Sequence, residues 1–294
     1  MKASLPSTEF YKPDVLGEWS ERKIDIVAKY AVPYAQIIRS KNLVPIYIDG
    51  LSGGGTAVRK GTNEKIATTA VRVLNAEPSF QKYFFLDLNE QKTKALKDYC
   101  DARNEDEETR RNVEVIPGDT NENLINKVIP YVQSRSKHRA LCFLDPYAMV
   151  VSWGVFEAAG KTRQIETFIN FPSMDIVRNI LRPSLESIEQ SHADRMTKLW
   201  GDESWRDVAF KKQPGLFTDE ISEPESIQRV LSGFCKRLKK IAGFNFVSEG
   251  IPMQNSKNGL LYHLLFATQK EVALNIATDV LRKRANPTTL GLHG

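Results

Sequence analysis

Val44-Pro45-Ile46-Tyr47-Ile48-Asp49-Gly50-Leu51-Ser52-Gly53-Gly54-Gly55 is the stretch on which the fold turns. Its first half is a short run of β-branched and aromatic residues, the mark of a buried strand. The run breaks at an acid into a turn with four glycines in six positions. Glycine admits φ > 0 and lets a ligand approach main-chain N–H groups. A strand feeding such a turn is the opening half of a Rossmann-type nucleotide site. A strand followed by a glycine-rich hairpin or bulge is the plainer alternative. Two common phosphate motifs do not fit. Gly-x-Gly-x-x-Gly read from Gly50 fails at Ser52, and no Gly-Lys-Ser/Thr follows to make a phosphate loop.

The length of 294 residues suits one large domain or a domain with an insertion. Apolar content of 41% and charged content of 26% are those of an ordinary globular protein. A net charge of +5 permits a nucleic-acid partner without demanding one. No apolar run reaches the roughly 18–20 residues needed to span a bilayer. The polar stretch Met1–Ser20 has no apolar signal-peptide core, so the expected location is the cytoplasm. Cys100, Cys142 and Cys235 are far apart and odd in number, which argues for free thiols. They share no ligand spacing with the four histidines, and no metal is expected.

Outward from the glycine turn, strand and helix patterns alternate. Residues 1–20 read as an irregular arm, and Glu21–Ser40 as a helix kinked or split at Pro33. After the turn, Lys65–Leu74 reads as helix, 82–87 as strand and Gln91–Arg103 as helix. Then come strand 113–116, helix 123–134, strand 140–144 and strand 166–171. This rhythm predicts a mostly parallel α/β sheet with right-handed crossovers. Residues 173–225 break it with helical pieces, two tryptophans and prolines. They are expected to form a helical insertion over the carboxyl ends of the strands, where open α/β sheets bind ligands. A helix at 226–242 follows, then two strands (244–250 and 259–268) as an antiparallel C-terminal hairpin, then helix 269–284. The expected units are thus 1–43 (arm and helix), 44–172 with 226–285 (Rossmann-like domain) and 173–225 (insertion).

Asp49-Gly50-Leu51-Ser52-Gly53-Gly54-Gly55 resembles the S-adenosylmethionine loop (Asp-x-Phe/Leu-x-Gly-x-Gly) of class I methyltransferases. That resemblance implies a Rossmann-like class I methyltransferase fold and assigns roles along the strand ends. Gly50, Ser52, Gly53 and Gly55 would lie beneath the methionine part, with Asp49 near its amino group. Asp87 would accept hydrogen bonds from the ribose hydroxyls, and Asp119 and Thr120 would reach the adenine. Asp145-Pro146-Tyr147 would stand beside the methyl group. Each acid alone is an ordinary cap or turn former. Four in the right order, each after an apolar strand, favour the cofactor site. Asp145-Pro146-Tyr147 further resembles the Asp/Asn-Pro-Pro-Tyr/Phe motif of enzymes that methylate exocyclic amines of nucleic-acid bases. It has one proline where that motif has two, which places Tyr147 one position early.

Together with Phe85-Leu86-Asp87, Ile169-Asn170-Phe171-Pro172 and Leu265-Phe266-Ala267-Thr268, these segments resemble the three-Cys-motif partner protein family (TcmP). Membership implies a three-cysteine-motif neighbour protein, similar to radical S-adenosylmethionine enzymes, as partner. The helix-then-strand opening also resembles ribosomal RNA adenine-N6 methyltransferases, in which a helix lysine meets the cofactor carboxylate; Lys29 is the candidate here. Phe171 is the candidate for lining the substrate cleft. Arg178, Arg182, Arg195, Lys198, Arg206, Lys211 and Lys212 could meet RNA or DNA phosphates. Two other readings stand beside the methyltransferase. One is a methyltransferase-like scaffold for the neighbour protein. The other is a phosphodiester enzyme holding magnesium with Asp49, Asp87, Asp119 and Asp145.

Overall fold

A computed structural model describes residues 5–210, 223–255 and 257–285. In chain order the strands are β1 (Val15–Leu16), β2 (Val44–Asp49), β3 (Thr56–Arg59), β4 (Lys65–Ala67), β5 (Lys82–Asp87) and β6 (Val113–Pro117). They continue with β7 (His138–Leu144), β8 (Ile165–Phe171), β9 (Phe246–Val247), β10 (Ile251–Gln254) and β11 (Leu260–Thr268). The helices are α1 (Glu18–Ser40), α2 (Thr69–Leu74), α3 (Glu90–Arg103), α4 (Thr120–Asn123), α5 (Ile129–Gln133) and α6 (Trp153–Thr162). After β8 come α7 (Ser173–Asn179), α8 (Gln190–Trp200), α9 (Trp205–Ala209), α10 (Glu223–Lys240) and α11 (Glu271–Ala285).

The main sheet runs β10-β11-β8-β7-β2-β5-β6, with β9 also on β11. From β6 to β8 every pairing is parallel, while β11 is antiparallel to β8, β9 and β10. The chain starts in the middle of the sheet at β2, goes out to β6, then returns to β7 on the other side. This is the Rossmann-like class I methyltransferase fold, with its switch point between β2 and β7.

Alternation along the strands builds two cores, one on each face. Ile46, Ile48, Phe84, Leu86, Ala140 and Cys142 face the core shared with α6, α8, α9 and α10. Tyr47, Tyr83, Phe85, Leu141, Phe143 and Phe168 face α1, α2, α3 and α11. The second core is aromatic. Tyr30 sits 5.2 Å edge-on to Phe168 and 5.0 Å from Phe266, and Tyr47 meets Phe80 at 5.5 Å. α1 lays its stripe of Ile26, Val27, Tyr30, Ala31 and Tyr34 on this layer. Pro33 lies inside α1 without splitting it.

Three expectations require correction. Lys65–Ala67 is strand, because the glycine turn leads into a β3–β4 hairpin and α2 starts only at Thr69. The hairpin turn is built from Gly61 and Asn63, both with positive φ. The arm is not irregular throughout, since β1 pairs in parallel with β3 to give a separate sheet, β1-β3-β4. The C-terminal hairpin is formed by β10, not by 244–250, of which only β9 is strand. Pro252 is accommodated because β10 is an edge strand. The described residues of 173–225 pack as a helical layer with α6 and α10, through Ile176, Met196, Leu199, Trp200 and Trp205. Residues 211–222, including Lys211 and Lys212, lie outside the described residues. No described helix is long and apolar enough to cross a membrane.

Candidate active site

At the carboxyl ends of β7, β2 and β5, beside the switch point, lies a cavity of about 210 Å³. It is lined by Asp49, Ser52, Gly53, Asp87, Asp145 and Tyr147, together with Asp14, Leu16, Ile24, Leu51, Ala57, Thr68, Thr69, Lys92 and Phe143. Three acids from three neighbouring strands therefore converge. A second, larger hollow of about 690 Å³ lies among Leu185, Arg206, Phe210, Arg229 and Lys236, far from these strand ends in the chain and at the border of 211–222.

Asp49 ends β2 and is 2% exposed. Its Oδ2 is 3.4 Å from the Tyr47 hydroxyl, and its Oδ1 has no hydrogen-bond partner among the described residues. Burial pushes its pKa up to about 8; the Asp145 charge adds to this, and hydrogen bonds from the Leu51 N–H and Tyr47 oppose it only in part. Asp87 ends β5. Its Oδ2 accepts from the Gly53 N–H at 2.9 Å and its Oδ1 from the Asn89 N–H at 2.9 Å. Each oxygen keeps acceptor capacity for a further donor. The Ser52 N–H is committed to the Leu86 carbonyl at 2.8 Å.

Asp145, after β7, is held from two sides. Lys23 of α1, 5% exposed, forms an ion pair with its Oδ1 and lies 4.7 Å over the Tyr262 ring. Burial works against the Lys23 charge, but the carboxylates around it, Asp145 foremost, more than offset that and raise its pKa. From β8, Asn170 donates through Nδ2 to Asp145 Oδ1 at 2.8 Å and to the Pro146 carbonyl at 3.2 Å. Beyond Pro146, Tyr147 is 78% exposed at the cavity rim. α7 reaches this loop through a hydrogen bond in which Asp175 Oδ2 accepts from the Met149 N–H at 3.0 Å.

Several residues singled out from the sequence stand elsewhere. Lys29 is exposed and does not line the cavity; from α1 it is Ile24 that lines the cavity, while Lys23 pairs with Asp145 beside it. Lys23 continues the buried stripe of Ile26, Val27 and Tyr30 at helical spacing, and Lys29 falls off that stripe. Gly50 is required by packing, because a Cβ there would meet Leu144 and Thr120. Gly55, at φ +83°, is crowded by Pro6 and Val71. Of the four glycines only Gly53, at φ +64°, faces the cavity. Asp119 is exposed and caps α4, its Oδ1 accepting from the Glu122 N–H at 2.9 Å. Thr120 is buried and donates to the Gly50 carbonyl at 2.6 Å. Neither lines the cavity, so the four-acid magnesium arrangement is not assembled. Phe171 is 0% exposed and packs 5.0 Å from Phe234 in the core. Its neighbour Asn170, on the opposite side of the strand, reaches the site. Of the insertion cations, Arg206 pairs with Glu203, and Arg195 lies 3.7 Å from Asp175.

The arm supplies the wall that sequence patterns did not predict. Asp14 and Leu16 line the cavity, and Asp14 pairs with Lys92 of α3 at 2.7 Å. Tyr11 lies against Gly54, where a Cβ would overlap its ring, and donates to the Thr56 carbonyl at 3.3 Å. Thr56 in turn donates to the Pro6 carbonyl at 2.8 Å.

No family model matches the chain, and no curated protein matches it. Among solved structures it is similar to the methyltransferase domain of bacterial CtHen1. One structure of that domain has 8% identity and a TM-score of 0.42, covering 85% of this chain and 100% of that one. A second has 10% identity and a TM-score of 0.43, covering 86% and 100%. A Legionella pneumophila protein of the DUF519 family has 10% identity and a TM-score of 0.42, covering 90% of this chain and 93% of its own.

Proposed function

We propose that the protein is an S-adenosylmethionine-dependent methyltransferase acting on an exocyclic amine of a nucleic-acid base. The observation that carries this reading is the convergence of Asp49, Asp87 and Asp145 with Gly53 around one cavity at the switch point of the sheet. The residues present fit the cofactor. Asp87 keeps acceptor capacity for ribose hydroxyls, and the unpartnered Asp49 Oδ1 suits an ammonium group. Lys92, lining the cavity, brings positive charge toward a carboxylate. When bound, the cofactor supplies a methyl group on a sulfonium, already a good leaving group.

The protein's part is then positioning and exclusion of water. Asp145 Oδ2, left free while Oδ1 holds Lys23 and Asn170, would accept from the target amine. The second lone pair of the Pro146 carbonyl would accept the other N–H. Tyr147, exposed at the rim, would stack on the base, which a duplex must first extrude. The resemblance to TcmP adds a three-cysteine-motif protein as partner, testable by co-purification.

The deciding experiment is calorimetric titration with S-adenosylhomocysteine, beside the Asp87→Ala variant. Saturable binding that is lost in the variant supports the reading and justifies screening RNA and DNA for methyl transfer. Wild-type protein that binds nothing sinks it. One observation favours the scaffold alternative. The Asn170 amide already takes one acceptor position on each of the two groups, Asp145 and the Pro146 carbonyl, that an amine substrate would use. A scaffold yields no S-adenosylhomocysteine with any acceptor.

A further inference from the structure

Between residues 226 and 240, α10 carries five cations and no acid. Arg229, Ser232, Gly233 and Lys236 recur at i, i+3, i+4 and i+7, so they share one face of the helix. That face walls the hollow of about 690 Å³, opposite Arg206, Asp207, Val208 and Phe210. Gly233 permits the close approach of these elements, since a Cβ there would lie 2.9 Å from Trp200 and 3.2 Å from Val208. The cations are not alike. Arg206 is engaged, pairing with Glu203 and lying 4.5 Å over the Trp205 ring. Arg229 is only part-engaged. Its Nη2 donates to the Ala209 carbonyl at 3.0 Å, while Nε and Nη1 are shielded from solvent without a partner among the described residues. Lys236 is exposed two turns further along. Asp207 is the one acid among the described lining residues.

We infer that this hollow binds a phosphate ester of nucleotide size. A charged group shielded from water without a partner is costly, and such a group in a native protein points to a missing ion or water. A rotamer change would turn the uncommitted N–H groups of Arg229 into the hollow, and an anion there would favour it. Ser232 adds a hydroxyl donor and Lys236 a second cation, a donor set suited to several phosphate oxygens. Arg206 is offset by Glu203, so Arg229 and Lys236 against Asp207 leave one positive charge to be matched. Leu185, Val208 and Phe210 give the remainder of the ester an apolar surface. The volume lies within the roughly 300–1,000 Å³ usual for ligand sites. The phosphate belongs either to a free nucleotide or to a nucleotide within a strand. The hollow shares no lining residue with the cavity at the strand ends, so its occupancy is independent of the cofactor.

The test is calorimetric titration of the whole protein with nucleoside 5′-monophosphates, the matching nucleosides and a short single-stranded RNA. At least one phosphate probe should bind and the nucleosides should not. Saturation by monophosphates assigns a free nucleotide, and saturation by the RNA alone assigns a strand. Arg229→Gln should weaken the bound probe by about 10- to 100-fold, the loss of charged hydrogen bonds. Ser232→Glu, at an exposed position, leaves packing intact and should abolish binding by placing like charge in the hollow. Lys94→Gln with Lys97→Gln removes two exposed cations of α3 and should change affinity less than about two-fold. Failure of every phosphate probe, or wild-type affinity in Ser232→Glu, overturns the inference. So does an α3 variant that loses as much as Arg229→Gln, because the binding would then be general electrostatic attraction.

Discussion

Asn170 Nδ2 lies 2.8 Å from Asp145 Oδ1 and 3.2 Å from the Pro146 carbonyl, so one amide joins the end of β8 to the loop after β7. The second proline missing from the Asp-Pro-Tyr segment would have stiffened that loop. Here a hydrogen-bonded clamp from the next strand does so. Asn170 is 4% exposed, and its removal leaves a buried carbonyl unsatisfied. Asn170→Ala should therefore cost roughly 1–3 kcal/mol in urea unfolding. It should leave S-adenosylhomocysteine affinity within a few-fold, since Asn170 does not line the cavity. A stability change within experimental error would show that the clamp contributes nothing.

Lys23 and Lys29 share α1 but not an environment. Lys23→Met strands the Asp145 carboxylate, whose side chain is 25% exposed, and should cost roughly 3 kcal/mol, the lower end for breaking a buried pair. Lys29→Met, at an exposed position, should stay within about 0.5 kcal/mol of wild type. Chemical denaturation of both variants checks the contrast, and equal effects would contradict it.

Asp49 makes stability depend on pH in a definite direction. Its folded pKa of about 8 lies above the ordinary value of 3.8, so the folded state binds the proton more tightly than the unfolded state. The associated stability is fully present below about pH 4 and is lost as pH rises toward 8. Asp49→Asn has nothing to lose over that range. Its melting temperature relative to wild type should climb steadily between pH 5 and pH 8, with a gain on the order of a few kcal/mol at the top. A difference that stays flat across those pH values would show that Asp49 is ionised in the folded protein.

The arm walls the cavity with Asp14 and Leu16, and Tyr11 packed on Gly54 anchors it. Gly54→Ala should displace Tyr11 and open residues 5–16 to protease, while Gly54→Ala with Tyr11→Ala should recover part of the protection. Removing residues 1–16 takes away Asp14 and Leu16 and should lower affinity for S-adenosylhomocysteine about 10-fold or more. An arm-less protein that binds as tightly as the full chain would show that the wall is dispensable.

The parallel sheet was legible because its strands are buried on both faces and read as unbroken apolar runs, as in Tyr83-Phe84-Phe85-Leu86. The β1-β3-β4 sheet was not. Its strands are two to four residues long, and their alternation around Ala57 and Ile66 is too short to register as a pattern. The turn at Gly61-Thr62-Asn63 was the available sign. At the site, acids at strand ends were readable because polar residues abruptly follow apolar runs. The lysine was missed by six positions along α1, although the buried stripe through Ile26 and Tyr30 passes through Lys23. Phe171 was the cleft candidate, but strand alternation sends its ring into the core and the amide of Asn170 to the site. Asp14 and Lys92 carry no local signal, because their meeting spans 78 residues and depends on the arm folding back.

β11 lies between β8 and β10, so the sheet is completed only after residues 172–259 have followed β8 out of the ribosome. Until residue 268 is available, the growing chain holds β2, β5, β6, β7 and β8 with the full length of β8 uncovered on one side. That side presents free N–H and C=O groups beside Phe168 and Ile169, a surface able to recruit another nascent chain. Soluble yield should consequently depend on the time between synthesis of β8 and arrival of β11. Slower translation across residues 172–259 would lengthen that exposure and favour inclusion bodies, even for variants whose finished fold is more stable.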